Sequence, residues 1–373
     1  MADQVPTDPY AVDIEACCAR QRRLALELQQ KHVEVALLTR RESVQWLTGV
    51  YLASPYETIA AITDQGHVTV VMPEHAAEMR VAADVVATYV SQLQATFRDE
   101  QRQACSKVLV ENLHKPSGVM GGEFAWLDRN LFLQFDNEWI DIEPLLLYFR
   151  RKKDPDHLRM LQRANDANRA MYAHARQIIE PGLNELDLYS ALHSVAVREL
   201  GEPLTYFGHD FQCNSIGGPP RDRQAHAGEL YILDLGVGFR GFRSDNARTV
   251  SVGGEVSCDQ KRAWDCLTEV FQLVESTVQP GTSCRELYDQ VKQMLEPCLP
   301  WTFEHHLGHG VGLAPHETPR LNPYWDDDFE EWDVFTVEPG LYHDELLHGM
   351  RLEQNYCVIS GGVDLLTDWP LEL

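Results

Sequence analysis

Between Ile14 and Lys31 apolar residues return at helical spacing, and Val35 to Thr39 follows as a short run suited to one buried strand. Thr58 to Thr63 and His67 to Met72 are two further strand candidates. They flank Asp64, Gln65 and Gly66, which is hairpin chemistry. Lys107 to Glu111 reads as another strand after a helix. Together these elements predict a small mixed α/β domain. The stretch RRKKDPD from Arg150 to Asp156 is charged, contains a proline and lacks apolar periodicity, as a domain junction does. We therefore expect domains over 1–150 and 151–373. The second opens on an amphipathic helix from His157 to Ile179, closed by Pro181 and Gly182.

The second part carries an internal repeat at an offset of 99 residues: PGLNELDLY at Pro181 to Tyr189 returns as PGTSCRELY at Pro280 to Tyr288. Asn184 and Ser283 are good N-cap residues, so each copy stops one helix and caps the next. Each copy is followed by a strand-rich segment with two carboxylates, Asp234 and Asp245 in the first and Glu338 and Glu353 in the second. Two related halves facing each other would bring four carboxylates together.

In YILDLGVGFRGFRSDNARTVSV, Asp234 ends the apolar run Tyr231 to Leu233, and Asp245 lies on the returning strand. Aspartate is disfavoured inside strands, so this placement requires an exposed edge or a cation. The segment EHHLGHGVGLAPHE sets His305, His306, His309 and His316 among Gly308, Gly310 and Gly312. Those glycines argue against a helical zinc motif, while a histidine cluster in an acidic chain points to metal rather than packing. Glu338 ends the strand of FTVEPGLY, and Glu353 falls in the strand pattern of HGMRLEQNYCVI. Buried carboxylates must be paired or bind metal. Arg351 can pair with one of the four, not with all.

Taken in order, DLG and SDNARTV, HHLGHGVGLAPHE, VEPGLY and GMRLE resemble the signatures of the pita-bread metallopeptidases, the family of methionine aminopeptidase, aminopeptidase P and prolidase. The likeness covers the second domain, and the segment SVQWLTGVY and the size of the first domain are similar to the creatinase and prolidase amino-terminal domain. It implies an α/β (α+β) chain: a pita-bread domain with an internal pseudo-two-fold repeat, preceded by the smaller mixed domain. It also implies two divalent metals (manganese, cobalt, zinc or iron) bridged by Asp245 and Glu353. Asp234 would bind one of them, and His309 with Glu338 the other. Four carboxylates and one imidazole make a hard ligand set suited to those ions. Glu338 would take the proton of a water activated between the metals, with His305 and His316 polarising the carbonyl and orienting the substrate. His306, whose spacing does not match, is expected to face solvent.

One departure concerns the substrate. The family usually carries a histidine about seventeen residues before the first ligand, and here that position is Gly217; His209 and His226 do not align with it. Arg221 and Arg223 nearby read as solvated loop charges, or else as receptors for an anionic substrate group. The expected activity is Xaa-Pro dipeptide or aminopeptidase P-like hydrolysis. Hydrolysis of a small non-peptide amide is the alternative, and a silent binding protein on the same shape a more distant one, since all five ligands are present.

Composition narrows the partners. Acidic residues outnumber basic ones by 57 to 32, giving a charge of −25, which disfavours nucleic acid and anionic membranes. No stretch has the apolar length of a membrane span, and the opening residues lack a signal core. Nine cysteines without a CxxC pair suit reduced thiols, so a cytoplasmic protein is expected. Of the adjacent Cys17 and Cys18, one is expected to be buried. The prolidase likeness also implies a homodimer.

Overall fold

The computed structural model describes residues 8–254 and 256–373, apart from the His209 side chain, and divides the chain into two compact units, 1–150 and 151–373. In the first unit a six-stranded mixed sheet runs in the order Val85–Tyr89, Val68–Pro73, Ile59–Thr63, Val33–Leu38, Val119–Gly122, Trp139–Asp141. The hairpin forms at Gly66, whose φ of +82° suits glycine and whose amide donates to the Thr63 carbonyl. Alternation along the strands sends Val35, Leu37, Ile59 and Ala61 to one face, where they meet Cys105 and Leu109. Cys105 and Leu109 belong to the helix Gln101–Asn112. The run Lys107 to Glu111 is therefore not a strand but the end of that helix. Its buried positions 105 and 109 are four apart, and the helix packs its one apolar stripe on the sheet. Ile14–Gln30 is helical as its periodicity predicts, capped by Asp13, whose carboxylate accepts from the Ala16 amide at 3.0 Å. Within it Cys17 is buried and Cys18 half-buried.

In the second unit the helices Pro155–Ile178 and Glu185–Leu200 precede one sheet, and Cys258–Thr277 and Cys284–Leu295 precede another. The repeat is visible in hydrogen bonds. Gly182 donates to Ala225, Glu185 to Arg223, and Ala225 to Leu183; Gly281 donates to Phe329, Cys284 to Asp327, and Phe329 to Thr282. Asn184 and Ser283 each cap the next helix with a side-chain oxygen. The first sheet is built around Leu230–Phe239, a ten-residue strand buried throughout, paired with Tyr206–Cys213 and Asn246–Ser251. The second runs Glu317–Leu321, Gly308–Gly310, Val334–Val337, Gln354–Ile359, Gly362–Leu365. The two are stitched where the Glu353 amide donates to Ala247 and the Asn246 amide nitrogen to the Glu353 carbonyl, at 2.9 and 3.0 Å. No helix among the described residues is long and apolar enough to cross a membrane.

Candidate metal centre

Asp234 sits in the middle of its strand rather than at the end. Flanking carbonyls hold it there: Tyr172 donates to Leu233 at 3.1 Å and Asn168 to Leu235 at 2.6 Å, both from the helix Pro155–Ile178. Asp245 follows the short strand Phe242–Arg243, where Ser244 exchanges hydrogen bonds with Val237. Glu353 lies between the strands Met350–Arg351 and Gln354–Ile359. Ligand atoms of Asp234, Asp245 and Glu353 lie within 4.8 Å of one another, and all three residues are buried. Both carboxylate oxygens of Glu353 are buried without a hydrogen-bond partner among the described residues.

Opposite them, Glu338 ends the strand Val334–Val337, its amide tied to the Leu307 carbonyl at 2.8 Å. Its Oε1 lies 2.9 Å from His306 Nε2 and 3.5 Å from His309 Nε2, and His309 Nε2 is 3.6 Å from Asp245 Oδ2. Nδ1 of His309 lies 3.0 Å from the Gly310 carbonyl. A proton on Nδ1 satisfies that contact and leaves the Nε2 lone pair facing the carboxylates, the arrangement a metal-ligating histidine needs. The strand carrying His309 requires its glycines: a Cβ at Gly308 would meet the Thr336 carbonyl oxygen at 2.0 Å, and one at Gly310 the Thr318 oxygen at 2.2 Å. His316 stacks on His309 with ring centres 3.9 Å apart. The buried pair Lys153–Glu317, 2.9 Å between charged atoms, anchors the residue next to it.

The five expected ligands thus converge, and His305 and His316 line the same cavity of about 570 Å³ with Asp234, Asp245, His309 and Glu338. Arg351 Nη2 is 2.9 Å from Asp234 Oδ2 and also pairs with Asp210, while its Nη1 reaches the Tyr342 hydroxyl at 3.2 Å. Tyr342 in turn touches His305 Nε2 at 2.9 Å. Three lining residues bonded to the expected site residues were missed or misjudged in the sequence. His306 does not face solvent; it is half-buried and bonded to Glu338, because the chain turns between it and His309 and brings both rings to one carboxylate. Tyr342 stands at the end of VEPGLY, so its signal was present in the motif. Asp210 had none, since only the strand register pairs it with Asp234. Arg221 and Arg223 are not free for solvent or substrate: they hold the carboxylates of Glu185 and Glu229. His226 is exposed, and the His209 side chain lies outside the described residues.

Electrostatics divide the centre. Burial, then the neighbouring Asp234 and Glu338, push Asp245 well above the usual carboxylate range, and burial beside Asp245 does the same to Glu353. Burial also acts on Glu338, but the His306 hydrogen bond together with His306, His309 and Arg351 outweighs it and brings this carboxyl down to about 2. Burial lowers His309 to about 4, whereas His306 is raised by Glu338 in spite of its burial. Burial lowers His305 as well.

The donor set and the unpartnered Glu353 carboxylate fit divalent cations: a buried anion without a hydrogen bond is tolerated only where a cation compensates it. Residues 159–360 match the model of metallopeptidase family M24, and residues 20–151 match the creatinase/prolidase N-terminal domain. The chain belongs to the M24 metallopeptidases. It is 26% identical over 241 residues to an Xaa-Pro dipeptidase of Pyrococcus horikoshii, covering 63% of this chain and 68% of that one. An uncharacterised peptidase of Staphylococcus saprophyticus is 24% identical over 353 residues, covering 92% and 97%. The fold is that of the Pyrococcus horikoshii prolidase structure, with a TM-score of 0.79 at 20% identity over 95% of this chain and 99% of that one. As an M24 member with a creatinase-type first domain and a pita-bread second domain, the chain is a metallopeptidase-family hydrolase.

Proposed function

We propose that this M24 protein is an Xaa-Pro peptidase acting on dipeptides or short peptides, with two divalent ions held by Asp234, Asp245, His309, Glu338 and Glu353. The observation that carries the reading is the Glu353 carboxylate, buried and unpartnered beside Asp234 and Asp245. When bound, the ions supply Lewis acidity and a water acidic enough to attack near neutral pH. Asp234, Asp245 and Glu353 would hold the ions from the acidic side of the site, and His309 with Glu338 from the histidine side. Glu338, kept ionised by His306 on its Oε1, takes the attacking water's proton. His305, oriented by Tyr342, and His316, stacked on His309, polarise the scissile carbonyl and orient the peptide. The proton finally goes to the departing nitrogen as the C–N bond breaks. Arg351 holds Asp234 in place through their 2.9 Å ion pair.

The second reading, a small non-peptide amide on the same site, is favoured by the wall at Gly217. A Cβ there would come 2.2 Å from Asp210 Oδ2, so no side chain fits at the position where the family's substrate-side histidine would stand, and Asp210 engages Arg351 instead. A panel of Xaa-Pro dipeptides, longer Xaa-Pro peptides and simple amides, each with Mn²⁺, Co²⁺ or Zn²⁺, tests both. Turnover confined to the Xaa-Pro compounds supports the first reading, turnover of amides alone supports the second, and none with two bound metals rejects both. We place the protein in the cytoplasm, where its thiols are reduced at rest, as a homodimer. Light scattering that finds only monomer at micromolar concentration rejects the dimer.

A further inference from the structure

Away from the metal centre, Cys266 on the helix Cys258–Thr277 and Cys298 in the short turn Glu296–Cys298 place their sulfurs 2.8 Å apart. Cys266 is half-buried and reachable from solvent, whereas Cys298 is buried. We propose that these two residues are a thiol modification site that closes into a reversible intramolecular disulfide on meeting a small-molecule disulfide such as oxidised glutathione. A disulfide needs a sulfur separation of about 2.05 Å, so closure takes about 0.8 Å of movement.

Exposure and acidity set the order of events. Burial and the hydrogen bond to Cys266 push the Cys298 thiol up to about 12, which makes it a poor first nucleophile. The Cys266 thiolate attacks one sulfur of oxidised glutathione, forming a mixed disulfide and expelling one glutathione thiolate. Cys298 then gives up its proton and attacks the Cys266 sulfur, which expels the second. Two protein thiols are oxidised by two electrons, and one glutathione disulfide is reduced to two thiols carrying the two released protons.

The bond braces one wall of the metal cavity. Trp301 and Phe303, just beyond Cys298, are buried, the Thr302 amide donates to the Tyr342 carbonyl at 3.2 Å, and Phe303 packs edge-on against the His305 ring. Thr302, Glu304, His305 and His306 line the cavity. Oxidation therefore ties the segment that carries these residues to the Cys258–Thr277 helix.

The test uses the full chain, reduced, incubated with oxidised glutathione, then alkylated and analysed by peptide mass spectrometry. The expected result is a joined Cys266–Cys298 peptide pair, a loss of two free thiols reversed by dithiothreitol, and a Tm rise of about 5 °C. Cys258, exposed and without a thiol neighbour among the described residues, should end as a glutathione adduct under the same conditions. In Cys298→Ser the reaction should stop at an adduct on Cys266. Cys266→Ser, on the more exposed side, should leave Cys298 as a free thiol. A stable glutathione adduct on Cys266 of the unaltered chain overturns the proposal, as does full alkylation of both thiols once Cys258 has reacted.

Discussion

Asp234, Asp245 and Glu353 on one side of the cleft, and Glu338 with His309 on the other, are all buried, with His306 half-buried beside Glu338, yet their charges are managed in opposite ways. On the histidine side the protein supplies its own compensation, and Glu338 stays ionised down to about 2. On the acidic side Arg351 pairs with Asp234, but at Asp245 and Glu353 burial and the neighbouring carboxylates outweigh its charge, and both are raised. One side is electrostatically complete as a protein, and the other is complete only with cations. Ligand position and proton handling are therefore separable, and substitutions on the two sides should fail differently.

The largest contrast comes from the acidic side. On the proposed ligand set, Asp245→Asn and Glu353→Gln would each weaken the hold on both ions, so metal content and turnover should fall together, by at least about 10²-fold in metal affinity, with partial recovery in excess metal. Retention of both ions in either variant, measured by metal analysis of the purified protein, breaks the comparison. On the other side, Glu338→Gln keeps shape and much of the coordination while losing the proton acceptor. Turnover should fall by roughly 10² with a smaller loss of metal, and near-normal turnover with two ions bound would shift the base role to His305 or His316.

A third test reads the acidic side through pH. Because Asp245 and Glu353 are raised in the metal-free fold, that fold holds protons which the unfolded chain has released. Metal-free stability from these groups is thus present at acid pH and falls as pH rises towards their folded-state values. Metal requires both groups ionised, so its binding strengthens with pH. The Tm gap between metal-loaded and chelated protein should therefore widen from pH 5 to pH 8, and at a metal concentration a hundredfold above Kd the stabilisation is about 2.7 kcal/mol. A gap that narrows with pH contradicts the assignment. The smallest effect is expected at Asp210→Asn, which loosens Arg351 without touching an ion-bearing carboxylate. We expect about a tenfold change in kcat/KM, the size of losing an outer hydrogen-bonding partner, with metal content intact. Lost metal would make Asp210 part of the ligand scaffold instead.

Much of this arrangement was legible in the chain. Asp234, Asp245, Glu338 and Glu353 stood out because acids placed in or beside apolar strands violate strand chemistry, and the glycines around His309 argued against a helix, while the strand there shows only in the structure. The helix Gln101–Asn112 was misread at its end because Lys107 to Glu111 mixes β-branched and apolar residues, and only the sheet beneath it decides in favour of helical spacing. His306 was misjudged because linear spacing ignores how a turn points a ring. Asp210 and the Arg221 and Arg223 pairs depend on partners distant in sequence, which no local pattern encodes. His305, by contrast, was marked by the family resemblance, which places a histidine four residues before His309.

The stitching of Glu353 to Ala247 and Asn246 also has a kinetic meaning. The two hydrogen bonds join positions 106 and 107 residues apart, so the cleft closes only when distant stretches of the second unit meet. Each half can gather its own helices and hairpins through short loops, but the last ligand arrives only when the halves dock, after the larger loop-closure entropy has been met. During refolding, recovery of metal affinity should therefore lag behind recovery of helical circular dichroism, and metal added early should hold the docked state without hastening the helices.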